Sequence, residues 1–316
     1  IRDRSGAESA YSSPFFFGTA FFCPDQLHWN KIWLGPTRHT SCAQTFRREF
    51  AVERPLARAR LYLAGAGYCQ AFLNGVKVGD RELDPAWTDY TKSVMYTSFD
   101  VTGLLQQGMN AVGIRMGGGW FTGWSFKAPQ LAMRLHLFYE DGSDNWVESA
   151  PRGEWRVSCD GEVRENSIYD GETIDASMRR PGWNRPGYDV SAPEAGRWDV
   201  PLRAEAPGGR MKSQLLEPIR IVDSWSPRSV TEPSPHVYLL DAGQNVSGWV
   251  SARIAGEKGR KVTLRFAEDL KEDGSLHREN LRSAQATDVF ILSGEGEDVF
   301  RPSFTFHGFR YVLVEG

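Results

Sequence analysis

No stretch of the 316-residue sequence reaches the roughly 20 consecutive apolar residues that cross a bilayer, and its start carries no secretory leader pattern. The first residue is Ile1 rather than Met, so localisation stays open between cytoplasm and periplasm or secretion. Charge of one sign is also missing: 37 Lys and Arg oppose 40 Asp and Glu, a net −3. That balance removes the electrostatic case for nucleic acid or an anionic membrane as partner. The four cysteines, Cys23, Cys42, Cys69 and Cys159, form no C-x-x-C pair, which argues against a zinc ribbon or a thioredoxin-type site. Their isolation reads as buried small hydrophobes rather than a disulfide framework. The six histidines are scattered without H-x-x-x-H spacing, and no G-x-S-x-G elbow occurs. No long helical period appears anywhere.

Short strands and turns are what the sequence does contain. Thirty-two Gly and 17 Pro punctuate it, and 11 Trp and 10 Tyr enrich it in aromatics. Ala59, Leu61 and Leu63 alternate with Arg58, Arg60 and Tyr62. Met133, Leu135 and Leu137 alternate with Arg134, His136 and Phe138. Val262, Leu264 and Phe266 alternate with Thr263 and Arg265. Each pattern predicts a strand with one apolar face. Asn74-Gly75 predicts a tight hairpin, because both residues tolerate positive φ. A single helical turn is expected within 101–107. These signals divide the chain into an aromatic-rich arm (1–44), a β-sandwich (45–180), a Pro- and Gly-rich connector with an added strand near 215–222 (181–235), and a second β-sandwich (236–316). The expected class is all-β, two tandem sandwiches.

Chemistry has few places to sit. The loop after the hairpin carries Trp87, Asp89 and Tyr90. Aromatic planes beside a carboxylate suit a sugar, which offers an apolar face and a ring of hydroxyls. The equally weighted alternative is a core Trp beside a turn Asp. Gly117-Gly118-Gly119 lacks the Lys-Ser/Thr of a phosphate loop, and no helix pattern follows it. Close backbone packing beside Trp120 is the better reading. Tyr169-Asp170-Gly171-Glu172 with Asp175 is an acidic cluster that reads as a capping turn rather than a calcium site, since EF-hand spacing is absent. The polar run from Asp241 to Trp249 reads as buried amides that fix a loop.

Taken in order, these motifs resemble the N-terminal, non-catalytic half of bacterial α-L-rhamnosidases, glycoside hydrolase family 78. The first block runs from Phe46-Arg47-Arg48-Glu49-Phe50 through Leu73-Asn74-Gly75 and Leu83-Asp84-Pro85-Ala86-Trp87-Thr88-Asp89-Tyr90 to Gly118-Gly119-Trp120-Phe121 and Gly182-Trp183. It is similar to the family's galactose-binding-like jelly roll. The second block has Asp241, Gly243-Gln244-Asn245, Gly248-Trp249, Ala267-Glu268, Asp273-Gly274, Ala286-Thr287-Asp288 and His307-Gly308-Phe309-Arg310-Tyr311. It resembles the family's concanavalin-like sandwich. The resemblance implies a parent enzyme that hydrolyses terminal α-L-rhamnose with inversion. Its catalytic carboxylates belong to an (α/α)6 barrel that follows the second sandwich. No barrel and no acidic catalytic motif occurs before Gly316, so the chain is expected to be an inactive fragment or part of a split protein. Its expected partners are a rhamnose-containing carbohydrate and the catalytic domain. The resemblance also implies a sugar site at Trp87, Asp89, Tyr90 and Trp120, with no cofactor required and calcium as an optional bridge. The alternative is a free-standing, lectin-like rhamnose-binding module.

Overall fold

The fold is that of a computed structural model describing residues 5–8, 10, 25–38, 41–125, 127–150 and 154–316. The aromatics at 15–17 and 21–22, and Cys23, lie outside the described residues.

The first sandwich faces a seven-stranded sheet with a five-stranded one. In the larger sheet, Leu56–Ala66 lies between Gln130–Tyr139 and Ser93–Asp100. Its register sets Ala59 opposite Leu137, Leu61 opposite Leu135 and Leu63 opposite Met133. All six of these side chains are buried. The alternation read from sequence is therefore one cross-strand apolar ladder, each Leu or Met side chain contributing about 1.5–3 kcal/mol by leaving water. The smaller sheet runs Arg156–Ser158, Gln44–Val52, Gly108–Gly117, Tyr68–Leu73, Val76–Lys77. Phe46, Ile114 and Leu73 project from it into the shared core. The hairpin turn falls at Asn74 and Gly75, with φ of 51° and 89°. Asn74 fixes the turn by donating to Leu104 O and Asn110 Oδ1 while accepting from Ala111 N–H.

The second unit is built on a seven-stranded sheet in which Lys261–Ala267 lies between Thr287–Ile291 and His307–Glu315. Val262, Leu264 and Phe266 are buried, as their alternation predicts. A two-stranded ribbon, Ala252–Ala255 with Glu297–Phe300, supplies Phe300 to the same core.

Several boundaries differ from the sequence reading. Val163–Ser167 and Gly171–Asp175 precede residue 180, yet they extend the second unit's sheet, Gly171–Asp175 running parallel to Thr287–Ile291. Leu34–Gly35, from the arm, joins the first sandwich. The arm's Trp29 and Trp33 are fully buried in a cluster with Ala64, Tyr96 and Ala132. The connector's strands are Leu202–Arg203, Arg210–Ser213 and Ser229–Ser234, not 215–222. Pro218 cannot donate to a ladder, and only Ile219 makes a bridge, with Glu82. A short helix, Gly119–Ser125, follows the glycine run where none was expected, since seven residues are too few to show a period. The single turn within 101–107 is a 3-10 helix at Thr102–Leu104.

The cysteine reading needs correction. Cys42 and Cys159 are disulfide-bonded, with Cα atoms 5.9 Å apart, while Cys69 is buried and free. With the partners 117 positions apart, sequence offered no spacing to suggest the pair.

Candidate functional site

Trp87 and Trp120 come together at one end of the first sandwich, ring centroids 5.5 Å apart and planes tilted by 40°. Tyr169 completes the group, standing edge-on to Trp120 at 5.3 Å. Trp87 is 52% exposed and Tyr169 58% exposed, so two large rings present apolar area to solvent. Trp120 is the fixed member. It lies in the first turn of the short helix Gly119–Ser125, packs beside Tyr68, Leu83 and Phe304, and hydrogen-bonds the Tyr68 phenol. Burial pushes that phenol up to about 12. A Cβ at Gly117 would collide with the Phe304 ring, so the glycine run serves close packing as expected.

The other two expected site residues are placed differently. Asp89 faces solvent but spends its carboxylate locally. One oxygen accepts from Thr91 Oγ1 at 2.6 Å and Thr91 N–H at 3.1 Å, and the other lies 3.0 Å from Lys92 Nζ. The Thr91 hydroxyl and Lys92 hold its carboxyl down at about 2. Tyr90 turns inward, edge-on to Phe121 at 5.1 Å, and burial raises its phenol. The structure thus brings Trp87 and Trp120 together and leaves Asp89 and Tyr90 as the frame of their loop. Tyr169 was missed as an aromatic member, because its loop reaches Trp120 only through a strand pairing that crosses between sandwiches.

Calcium takes about six to eight oxygen ligands. Asp89 is engaged by Thr91 and Lys92 of its own loop, and Asp170 accepts from Ser167 Oγ and Gln285 N–H. Among the described residues no three His, Cys, Asp or Glu side chains gather to hold a metal ion. The residues around the aromatic group do not fit calcium.

The acidic cluster behaves as caps. Asp175 accepts from Ser177 N–H. Glu172 is wholly buried and accepts backbone N–H groups of Ser303 and Phe304. Asp241 grips Arg310 through two hydrogen bonds of 2.9 and 3.0 Å. Gln244 and Asn245, expected to be buried loop amides, are exposed on the strand Val237–Gly248, where Asn245 donates to Glu268.

Two mainly antiparallel β-sandwich units in tandem define a multidomain β-sandwich class, a jelly roll followed by a concanavalin-like unit. The chain belongs to the bacterial α-L-rhamnosidase family: the model of the α-L-rhamnosidase N-terminal domain matches residues 54–223, and that of the bacterial α-L-rhamnosidase concanavalin-like domain matches 231–316. It is 40% identical over 288 residues to an α-L-rhamnosidase of Streptomyces avermitilis, covering 87% of this chain and 27% of that protein. The structure of an α-L-rhamnosidase from Dictyoglumus thermophilum superposes with a TM-score of 0.86 at 35% identity, over 92% of this chain and 34% of that one. The Streptomyces avermitilis α-L-rhamnosidase, solved in complex with L-rhamnose, gives 0.82 at 38% identity, over 87% and 27%. The chain therefore spans about a quarter to a third of the length of these relatives. Both matched models are domains of α-L-rhamnosidases, which favours an accessory portion of such a protein over a free-standing lectin-like module. Among the described residues no helix is long and apolar enough to cross a membrane.

Proposed function

We propose that this chain is the substrate-positioning portion of an α-L-rhamnosidase whose hydrolysis of terminal α-L-rhamnose, with inversion, is carried out by an acid and a base on a catalytic domain outside residues 1–316. The observation that carries this reading is the pairing of two matched domain models with a coverage of only 27–34% of the relatives. Within the chain, Trp87, Trp120 and Tyr169 are the faces on which a rhamnose ring rests. A deoxy sugar offers a methyl group and axial C–H bonds to such faces, and the rings already held by packing lose little freedom on binding. Asp89 and Tyr90 hold the loop. No calcium step is included, because the donor set does not fit one.

Calorimetric titration with L-rhamnose, in calcium and then in EDTA, tests the site. Saturable heat of equal size in both buffers is expected. Aryl α-L-rhamnoside hydrolysis tests the division of labour. No turnover is expected from this chain, and turnover would place a catalytic pair inside the sandwiches. The disulfide between Cys42 and Cys159 supports residence in an oxidising compartment, the periplasm or the exterior.

A further inference from the structure

Trp87 is half exposed, so burial alone does not fix its ring against Trp120. Its placement falls to the backbone on either side of it. On the far side the Thr88 hydroxyl donates to the Ser93 carbonyl. On the near side the partner comes from 128 positions away. The side-chain oxygen of Gln214 accepts the Ala86 N–H at 2.8 Å, and its amide nitrogen donates to a carboxylate oxygen of Asp84 at 2.9 Å. One side chain thus holds the short segment that leads into Trp87. Only an amide can do both, since it carries a donor for the carboxylate and an acceptor for the N–H.

Asp84 is a firm anchor for this grip. It is buried, its carbonyl accepts the Cys69 N–H at 2.7 Å, and its second carboxylate oxygen lies 3.8 Å from Arg81 Nη1. Burial raises its carboxyl, and the Gln214 amide is the foremost influence opposing that rise. Removing the amide leaves a buried carboxylate short of a donor and a backbone N–H short of an acceptor, and the loop must shift to satisfy them. The connector sets the register of Gln214. Gly209 N–H donates to the Tyr90 carbonyl at 2.9 Å and Arg210 N–H to the Lys92 carbonyl at 3.0 Å. Arg210–Ser213 then runs parallel to Ser93–Asp100, and Gln214 N–H donates to the Tyr96 carbonyl at 2.9 Å. Beyond it, the Ile219 carbonyl accepts Glu82 N–H at 3.0 Å. The connector is a strap along the loop that carries Trp87.

We infer that Gln214 is a positioning residue for the aromatic face, clamping residues 84–86 so that Trp87 stays against Trp120. The inference rests on the proposed function for the identity of the sugar, whereas the clamp itself concerns ring geometry. A sugar binds the chains whose rings are in place, so apparent affinity falls by the fraction of chains that keep the clamped arrangement.

The test is circular dichroism and calorimetry on the whole chain. Two indoles 5.5 Å apart and tilted by 40° couple their electronic transitions, which gives far-ultraviolet bands of opposite sign. The part of that signal lost in Trp120→Phe belongs to the pair. Gln214→Ala, measured well below its unfolding midpoint, should lose roughly half of it or more and weaken L-rhamnose binding by the same factor. Cys159→Ser removes the disulfide and lowers stability away from the loop, and should leave the signal intact. Gln214→Glu keeps the acceptor for Ala86 but sets a second carboxylate against Asp84, which also feels Arg81, Arg220 and Cys69. Its pair signal should be weak at neutral pH and return on acidification, when a proton shared by the two carboxyl groups restores the donor, while the unaltered protein stays level. An undiminished signal in folded Gln214→Ala, or an equal loss in Cys159→Ser, would overturn the clamp whatever the sugar does. Should Gln214→Ala fail to fold, a full signal in Gln214→Glu at neutral pH would overturn it instead. Absence of L-rhamnose heat in the unaltered protein would remove the sugar reading alone, because the ring signal is measured without ligand.

Discussion

Glu172 was legible in the sequence only as one of several acids on a turn, yet in the fold it is a buried hub of the second unit, joining Gly171–Asp175 to the backbone at Ser303 and Phe304. Its carboxyl is buried, accepts from Ser303 and Phe304 N–H, and lies near buried Asp288. Burial raises it from 4.5 to about 8, the two backbone donors opposing the shift. A raised acid means that the folded chain keeps a proton which the unfolded chain releases. That contribution to stability is full below pH 4.5 and is lost as pH rises through about 8, with a slope of up to about 1.4 kcal/mol per pH unit. Urea unfolding at pH 5, 6, 7 and 8 should show this decline, and Glu172→Gln should flatten it. A second prediction belongs to the aromatic face. Trp120→Ala should weaken L-rhamnose binding at least tenfold, about 1.4 kcal/mol, by calorimetry. Asp89→Ala should leave affinity within about twofold, because that carboxylate already serves Thr91 and Lys92. A large loss in Asp89→Ala would return Asp89 to the site.

At the scale of elements, the Cys42–Cys159 bond ties the start of Gln44–Val52 to the turn after its edge partner Arg156–Ser158. Closing 117 residues removes much freedom from the unfolded chain, and on a chain-entropy view the bond contributes up to about 4–5 kcal/mol. Reduction, or Cys159→Ser, should lower the thermal midpoint by several degrees under scanning calorimetry. Cys69→Ser should act instead through its burial, without any dependence on reductant. What sequence revealed at this scale follows physical rules. Strands with one buried face, such as Leu56–Ala66 and Lys261–Ala267, carry a period of two that survives in any context. Arg210–Ser213 shows no such period, because it is a parallel edge strand with no side chain fully buried. The helix Gly119–Ser125 is shorter than two helical turns, and the disulfide joins residues that no local pattern connects. The aromatic site was half legible for the same reason: Trp87 and Trp120 lie in motifs, whereas Tyr169 arrives by a pairing between distant strands.

At the scale of the whole molecule, Arg301 of the second unit pairs with Glu82 of the first, and a shared cluster includes Tyr68, Leu83 and Phe304. The connector after Ser213 does not share in this burial. Leu215 is 92% exposed and Val222 95% exposed, with Leu216, Ile219, Ile221 and Trp225 also open to solvent. The adjoining strand Ser229–Ser234 is exposed along its full length at the sheet's edge. Apolar side chains and an unpaired strand edge placed side by side are the features of a surface that another part of a protein covers. Relatives are roughly three times as long as this chain, and under the proposed function their additional length supplies a natural occupant for this face. In the isolated chain the same face should bind the hydrophobic dye ANS and promote self-association as concentration rises. Leu215→Asp with Val222→Asp should reduce both while leaving unfolding stability within about 0.5 kcal/mol, since neither side chain is packed in this chain. A stability loss of several kcal/mol would instead mean that the segment folds onto the sandwiches themselves, and the covering partner would have to be sought elsewhere on the surface.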